Sequence, residues 1–329
     1  MTRRRRALIT GITGQDGSYL CEHLLARDYE VHGTVRPGRD PSTSALGPLL
    51  RAGEPGLRVH AVDLTDGDGL TQLVETTAPH EVYNLASLSH VGTSFAEPVH
   101  SGEVTGLGVV RLLDAIMRTD PSIRFCQAGS SEMFGAHPPP QSERTPFHPR
   151  SPYAAAKVYG HWTTVNYREA YGLHASNGIL FAHESPRRGP AFVTRKITTA
   201  IPRVLNGEQR RLKLGNLNIS RDWGHARDYV EALHRLLSHP EPLDVAIGTG
   251  ESHTLEEFLD AAFSHVGLDW HDHVEIDPRL YRPADIPAVR CDATMAREVL
   301  GWTPRTSFAQ LVEEMVRADL ATPASRRAR

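Results

Sequence analysis

Tyr153 and Lys157 stand four residues apart in Tyr-Ala-Ala-Ala-Lys, a spacing that puts both side chains on one face of a helix. An ammonium under a phenol favours the phenolate. A phenol that ordinarily titrates near ~10 becomes a base for an alcohol proton once its pKa is drawn toward neutrality. Ser130 opens the string Ser-Ser-Glu and can bind the same alcohol oxygen. Together these three residue types describe oxidation and reduction at a carbinol carbon. Glu132, two residues beyond Ser130, is surplus to that chemistry. A carboxylate beside a redox trio suits proton transfer at the neighbouring carbon, so the set points to elimination and not to simple dehydrogenation.

Such side chains need elements to position them. Pro152 is at home in the first turn of a helix, and Tyr153 to Ala156 continue it well. Near the start, the apolar run Ala7 to Thr10 leads into Gly11-Ile12-Thr13-Gly14-Gln15-Asp16-Gly17, after which Tyr19, Leu20, Leu24 and Leu25 recur at helical spacing. Strand, glycine turn and helix in that order predict a dinucleotide site. The glycines let the backbone approach a pyrophosphate, and the helix N-terminus offers free N–H groups and a favourable dipole. Glu30 to Val35 reads as the second strand; Arg36 follows it, where an NAD enzyme would carry an acid for the ribose hydroxyl. An arginine there suits a 2′-phosphate, so the expected cofactor is NADP.

Further strand-like runs cover Leu57 to Val62, Glu81 to Leu85, Ile123 to Ala128 and Ala175 to Leu180, separated by helical patterns such as Gly106 to Met117. The alternation predicts an α/β protein with a doubly wound parallel sheet. Residues 1–180 are expected to form the dinucleotide-binding domain, with a return segment near 225–250, and residues 181–329 mainly a substrate-binding lobe. Leu255 to Val266 and Phe308 to Met315 read as small surface helices of that lobe, while Leu107, Val110, Leu112 and Leu113 read as helix core. Pro37 to Ser44 and Pro138 to Pro149 are proline-rich loops.

Across 329 residues the formal net charge is −3, which supplies no bulk attraction to nucleic acid or to an anionic membrane. Arg3 to Arg6 and the terminal Arg326, Arg327 and Arg329 are expected to be solvated tails. Cys21, Cys126 and Cys291 are odd in number and lack metal spacing, so reduced thiols in a cytoplasm are expected. No apolar run has the length of a membrane span. His265, His271 and His273 lie near Asp269 and Asp272 without forming a ligand motif, and no metal is assigned.

At the level of whole strings the likeness is more specific. Gly11 to Leu20, Tyr83-Asn-Leu85, Ser89-His-Val91, Ser130-Ser-Glu132, Pro149 to Lys157, His183-Glu-Ser-Pro-Arg-Arg-Gly189, Phe192 to Lys196 and Arg221-Asp-Trp-Gly-His225 resemble the GDP-mannose 4,6-dehydratase group of the extended short-chain dehydrogenase/reductase family. The resemblance runs from about residue 7 to about residue 319. It implies catalytic roles for Ser130, where the group usually carries Thr, and for Glu132, Tyr153 and Lys157. Cofactor contacts are implied for Gly11, Thr13, Gly14, Gln15, Asp16, Gly17, Arg36, Asp63, Leu64, Leu85, Ser87, Tyr153, Lys157, His183 and Arg188. Substrate contacts are implied for Ser89, Glu184, Lys196, Arg221 and Arg282, whose cations suit a nucleotide diphosphate.

The implied reaction oxidises C4 of a GDP-mannose-like nucleotide sugar, eliminates water across C5 and C6, and returns the hydride to C6 from a cofactor that stays bound. A dehydratase or 4-epimerase acting on another nucleotide sugar is the alternative, and a silent NADP-binding regulatory protein a more distant one. A homodimer or homotetramer is expected, with Val158, Trp162, Val165 and Tyr167 on the Tyr153 helix as its apolar flank. Besides Ser130, four features depart from the group: Ala182 replaces an Asn, the loop after the second strand is Arg36-Pro37-Gly38-Arg39, His100 replaces a Tyr, and the stretch before Tyr281-Arg282-Pro283 is short.

Overall fold

In the computed structural model, residues 4–322 are described. Seven short runs rich in apolar and β-branched residues form the strands β1 (Arg6–Thr10), β2 (Glu30–Val35), β3 (Leu57–Ala61), β4 (Glu81–Asn84), β5 (Arg124–Ala128), β6 (Ala175–Leu180) and β7 (Asp244–Ile247). They build one sheet in the order β7-β6-β5-β4-β1-β2-β3, and every pairing is parallel. Side chains alternate between its faces, as a two-residue period requires. Ala7 and Ile9 of β1 enter one apolar core with Leu20, Leu24, Tyr229, Leu233 and Leu236. Leu8 enters the other, with Leu70, Val74, Leu112, Leu113 and Ile116. Buried on both faces, the sheet is doubly wound.

The helices that cover it are α1 (Gln15–Leu25), α2 (Gly67–Thr77), α3 (Gly108–Thr119), α4 (Pro152–Tyr171) and, later in the chain, Ala226–Ser238. α4 begins as its sequence asks. Ser151 is the N-cap and accepts a hydrogen bond from Ala154 N, Pro152 occupies the first turn, and Gly172 ends the helix in the left-handed region at φ 71°.

Between β6 and β7, and again after β7, the chain builds a second apolar centre. α5 (Val193–Leu205), α6 (Ala226–Ser238), α7 (Leu255–Ser264) and α8 (Phe308–Leu320) complete the longer helices. α5, α7 and α8 share a core made of Ile197, Ile201, Phe258, Phe263, Val312 and Met315, with Trp223 beside them. The segments expected to be small surface helices are therefore the walls of this core. Their apolar stripes are buried against one another, and only their outer faces meet solvent.

Two further expectations are corrected. Leu107 is 38% exposed, because a π-turn at Glu103–Leu107 precedes α3 and rotates Leu107 out of the stripe that buries Val109, Leu112 and Leu113. Val110 is half-buried. Arg4 to Arg6 are not a solvated tail: Arg5 pairs with the buried Glu81 at 3.0 Å, and Arg6 donates to Thr77 O at 2.8 Å at the end of α2. A cation there satisfies orphan carbonyls and complements the helix dipole. Arg3, Arg326, Arg327 and Arg329 lie outside the described residues. None of the described helices is long and apolar enough to cross a membrane.

Candidate active site

Ligand sites of open parallel sheets lie beyond the carboxyl ends of the strands, where the strand order reverses. Here the reversal falls between β1 and β4. A cleft of about 930 Å³ opens there, lined by Gly11 after β1, Arg36 after β2, Asp63 after β3, Leu85 after β4, Gly129 after β5 and Phe181 after β6. The second lobe supplies the facing wall. Every residue singled out for catalysis, cofactor or substrate in the sequence lines this one cleft.

The floor is the glycine turn. Gly11 has φ +69°, and a Cβ on it would lie 2.9 Å from Ala86 Cα, while a Cβ on Gly17 would lie 2.4 Å from Gly11 O. Only glycine lets the turn, β4 and α1 come this close. Gly14 is the N-cap of α1 and makes no side-chain cap, so the first N–H groups of the helix remain available to an anion. That cradle fits a pyrophosphate. Beyond β2, Arg36 and Arg39 both line the cleft. Asp40, the acid of this loop, is committed elsewhere: it accepts from Ser42 N at 2.8 Å and Ser42 Oγ at 2.7 Å.

At the other end sit the proton-handling groups. Ser130 caps a short turn, Ser131–Phe134, by accepting from Glu132 N at 3.2 Å, and that turn brings the Glu132 carboxylate into the cleft. Glu132 faces Arg282 at 3.9 Å. Lys157 Nζ donates to Ala128 O at 2.7 Å and lies 5.7 Å from the centre of the Tyr153 ring. Burial pushes the Tyr153 phenol up to about 12, with Glu132 and Asp16 adding to the rise and a hydrogen bond with Ser130 and the charge of Arg188 opposing it. The sequence-based expectation assigns the lowering of this phenol to Lys157 joined by an oxidised nicotinamide; Lys157 by itself does not bring it down. Desolvation of the phenolate outweighs an ammonium that is tied to a carbonyl. Burial also brings Lys157 down to about 8, against the opposing charge of Asp16.

Asp16 and His183 form a pair that spacing did not reveal. His183 Nε2 meets Asp16 Oδ2 at 2.9 Å and Nδ1 meets Phe181 O at 2.7 Å. Both nitrogens face acceptors, an arrangement that favours the imidazolium. Burial acts to lower the His183 pKa, but Asp16 outweighs it and the net direction is upward. Burial likewise raises the Asp16 carboxyl, yet His183 and Arg188 bring it down to about 2.

On the second-lobe side, buried Glu184 accepts from Thr194 Oγ1 at 2.7 Å and pairs with Arg188 at 3.2 Å. Arg221 is buried and held by Ser220 O at 2.9 Å and Ile286 O at 2.8 Å. Lys196 is exposed at the rim, on α5. Residues that the sequence reading passed over also line the cleft: Arg39, Asp40, Lys213, Asn216, Tyr281 and Asp285. Asn216 donates to Asp285 at 3.2 Å, a contact 69 residues apart in the chain for which no local signal exists. Ala182 lies in the lining as well, half-buried. Among the described residues no three His, Cys, Asp or Glu side chains come together in an arrangement that could hold a metal.

Known proteins carry the same organisation. The family model described as GDP-mannose 4,6 dehydratase matches residues 8–315. GDP-mannose 4,6 dehydratase 2 of Arabidopsis thaliana is 52% identical, covering 96% of this chain and 87% of the relative. GDP-mannose 4,6-dehydratase of Sinorhizobium fredii is 45% identical, covering 98% of each. Among solved structures, UDP-glucose 4-epimerase of Thermus thermophilus, in complex with NAD, superposes with a TM-score of 0.81 at 27% identity over 97% of this chain and all of its own (100%). A family match across nearly the whole length, on a cleft that gathers the residues those strings contain, means that this chain belongs to the GDP-mannose 4,6-dehydratase family.

Proposed function

We propose that this protein converts GDP-mannose to GDP-4-keto-6-deoxymannose, with NADP held as a resident catalytic group. The observation that carries this reading is the position of Glu132. Its carboxylate is delivered by a turn that Ser130 caps, into the same cleft end as Tyr153 and Lys157. An epimerase moves no C5 proton and has no use for it.

When bound, the nicotinamide supplies a reversible hydride acceptor, so oxidation at C4 and reduction at C6 cancel and the net change is loss of water. Ser130 Oγ orients the C4 oxygen and Tyr153 Oη takes its proton. Lys157, fixed by Ala128 O, sets positive charge near that oxygen as negative charge develops, and the Asp16–His183 pair lines the same cleft. Once C4 is a carbonyl, the C5 proton is acidic. Glu132 takes it and passes it to the C6 hydroxyl, which departs as water, and C5 regains a proton that balances the one Tyr153 took from the C4 hydroxyl. Lys196, Arg221 and Arg282 hold the diphosphate, with Ser89 and Glu184 as further substrate contacts. The glycine turn cradles the cofactor pyrophosphate, and Asp63, Leu64, Leu85, Ser87, His183 and Arg188 line the rest of its path.

NADP is preferred to NAD in this reading because Arg36 and Arg39 line the adenosine end while Asp40 is engaged by Ser42. The seven-stranded unit, residues 1–180 with the return through β7, is the dinucleotide part, and the remainder carries the substrate. A homodimer at least is expected through the outer face of α4. Val165 is only 7% exposed and cannot contribute to that face, whereas Tyr159, Trp162 and Val99 are 49%, 57% and 79% exposed. Three buried free thiols suit a cytoplasmic setting. The test is incubation with GDP-, UDP-, CDP- and dTDP-sugars and NADP, with products weighed for loss of water. Turnover confined to a sugar other than GDP-mannose would assign the replacement at Ala182 a role in substrate choice.

A further inference from the structure

The string His183 to Gly189 contains two adjacent arginines, and the site absorbs only one of them. Arg188 lines the cleft; Arg187 does not. Arg187 points to the outer side of the same segment and joins it to α1. Its Nη1 donates to Ser18 Oγ at 3.2 Å and its Nη2 to Glu22 Oε1 at 2.7 Å. Its guanidinium carbon lies 3.9 Å from the centre of the Tyr19 ring. Its own backbone N–H donates to Ser185 Oγ at 3.1 Å, and that hydroxyl donates to Gln15 Oε1 at 2.8 Å. Gln15 Nε2 closes the circuit by donating to His183 O at 3.1 Å.

The helix whose N-terminus forms the pyrophosphate cradle is therefore bolted, side chain by side chain, to the segment that presents His183 and Arg188. These two walls of the cleft are remote in sequence, 170 residues apart between Gln15 and Ser185. The short ladder between His183–Glu184 and Gly224–His225 anchors only the start of the segment. Arg187 is its outer anchor.

We propose that Arg187 is a positioning residue for the dinucleotide: it clamps the segment His183–Arg188 against α1 and so sets how long the cofactor stays bound. This rests on the reading of the cleft as a nicotinamide site. A guanidinium fork that grips a carboxylate and a hydroxyl while stacking on an aromatic face is replaced only in part by an ammonium. Separation of the two walls requires all of these contacts to break together, which slows release without adding a contact to the cofactor.

The experiment measures the dissociation rate of NADPH from the full chain, by displacing it with excess NADP+ and following the fluorescence of the bound reduced ring. Arg187→Ala is expected to speed dissociation about tenfold, the scale of one charge-assisted hydrogen bond, with the KM for GDP-mannose unchanged. Arg187→Lys should recover part of the loss, and Glu22→Gln should act in the same direction with a smaller effect if Arg187→Ala folds poorly. The double variant Arg187→Ala with Glu22→Gln should be no faster than Arg187→Ala alone. Arg118→Ala, which breaks the Arg118–Asp114 pair of α3 at 2.9 Å, serves as the control and should leave dissociation unchanged. The proposal is overturned by wild-type dissociation rates in both Arg187→Ala and Glu22→Gln, or by an equal acceleration in the control. Failure of the wild type to bind any nicotinamide would overturn the cofactor reading itself, a result distinct from bound NADPH that leaves at one rate from every variant.

Discussion

Asp16 is the residue on which the electrostatics of the cleft turn. It favours the imidazolium of His183, and its charge raises the Lys157 pKa against the larger effect of burial, which brings it down to about 8. In cofactor-free protein the Lys157 side chain should therefore titrate near pH 8, observable by NMR of the labelled ε-carbon. Asp16→Asn removes the stabilising negative charge and should move that midpoint lower, while an unchanged or higher midpoint would contradict the assigned coupling. Sequence alone could name Lys157 and Tyr153 from their spacing. It could not weigh burial, which pushes the phenol up, against the charges of Lys157 and an oxidised nicotinamide. Arg36 was named from its place after β2, and it lines the cleft; its contact with a 2′-phosphate is the part to be tested. Arg36→Ala should weaken NADPH binding about tenfold and NADH binding far less, in calorimetric titration. Equal losses for the two would remove Arg36 from the 2′-phosphate.

At the scale of elements, the strand–glycine turn–helix unit was readable because each part is local: a run of buried residues, glycines at fixed spacing, then a helical stripe. The close approach behind it is testable. A Cβ on Gly17 meets backbone at Gly11 O and at Ile12 Cα, 2.4 and 2.6 Å away, which no rotamer can relieve. Gly17→Ala should therefore cost about 1–3 kcal/mol, the range for overpacking a rigid site, visible in denaturant unfolding, and should weaken cofactor binding. A stable variant with wild-type affinity would mean that the cradle is softer than its geometry. Six strands of the sheet agree with their sequence-based bounds to within one residue at either end, while β7 had no bounds beyond the return segment near 225–250. The second lobe was harder to read. Its core joins α5, α7 and α8 from distant parts of the chain, and a half-apolar helix looks the same from its sequence whether it lies on a surface or packs against two others. The π-turn before α3 had no signature, and it turned Leu107 outward.

Among the described residues the molecule presents a large cleft, a seven-stranded parallel sheet and, on the outside of α4, a patch of exposed apolar side chains. Tyr159, Trp162, Val99 and Leu107 are all exposed, and the proposed association face is placed there. Trp162→Glu should shift the protein toward monomer in light scattering at micromolar concentration. A wild type that is itself monomeric would refute the face. Sequence named Trp162 but added Val165, because the sheet-facing and outward sides of α4 cannot be told apart from its apolar content. The account as a whole stands on the carboxylate that redox chemistry leaves unused. Its direct measurement is the mass of the product formed from GDP-mannose with NADP by the wild type and by Glu132→Gln. The wild type should release a product lighter by one water, and Glu132→Gln should release none while still binding both ligands. Water loss at the wild-type rate in Glu132→Gln, or no water loss from GDP-mannose by the wild type, would contradict it.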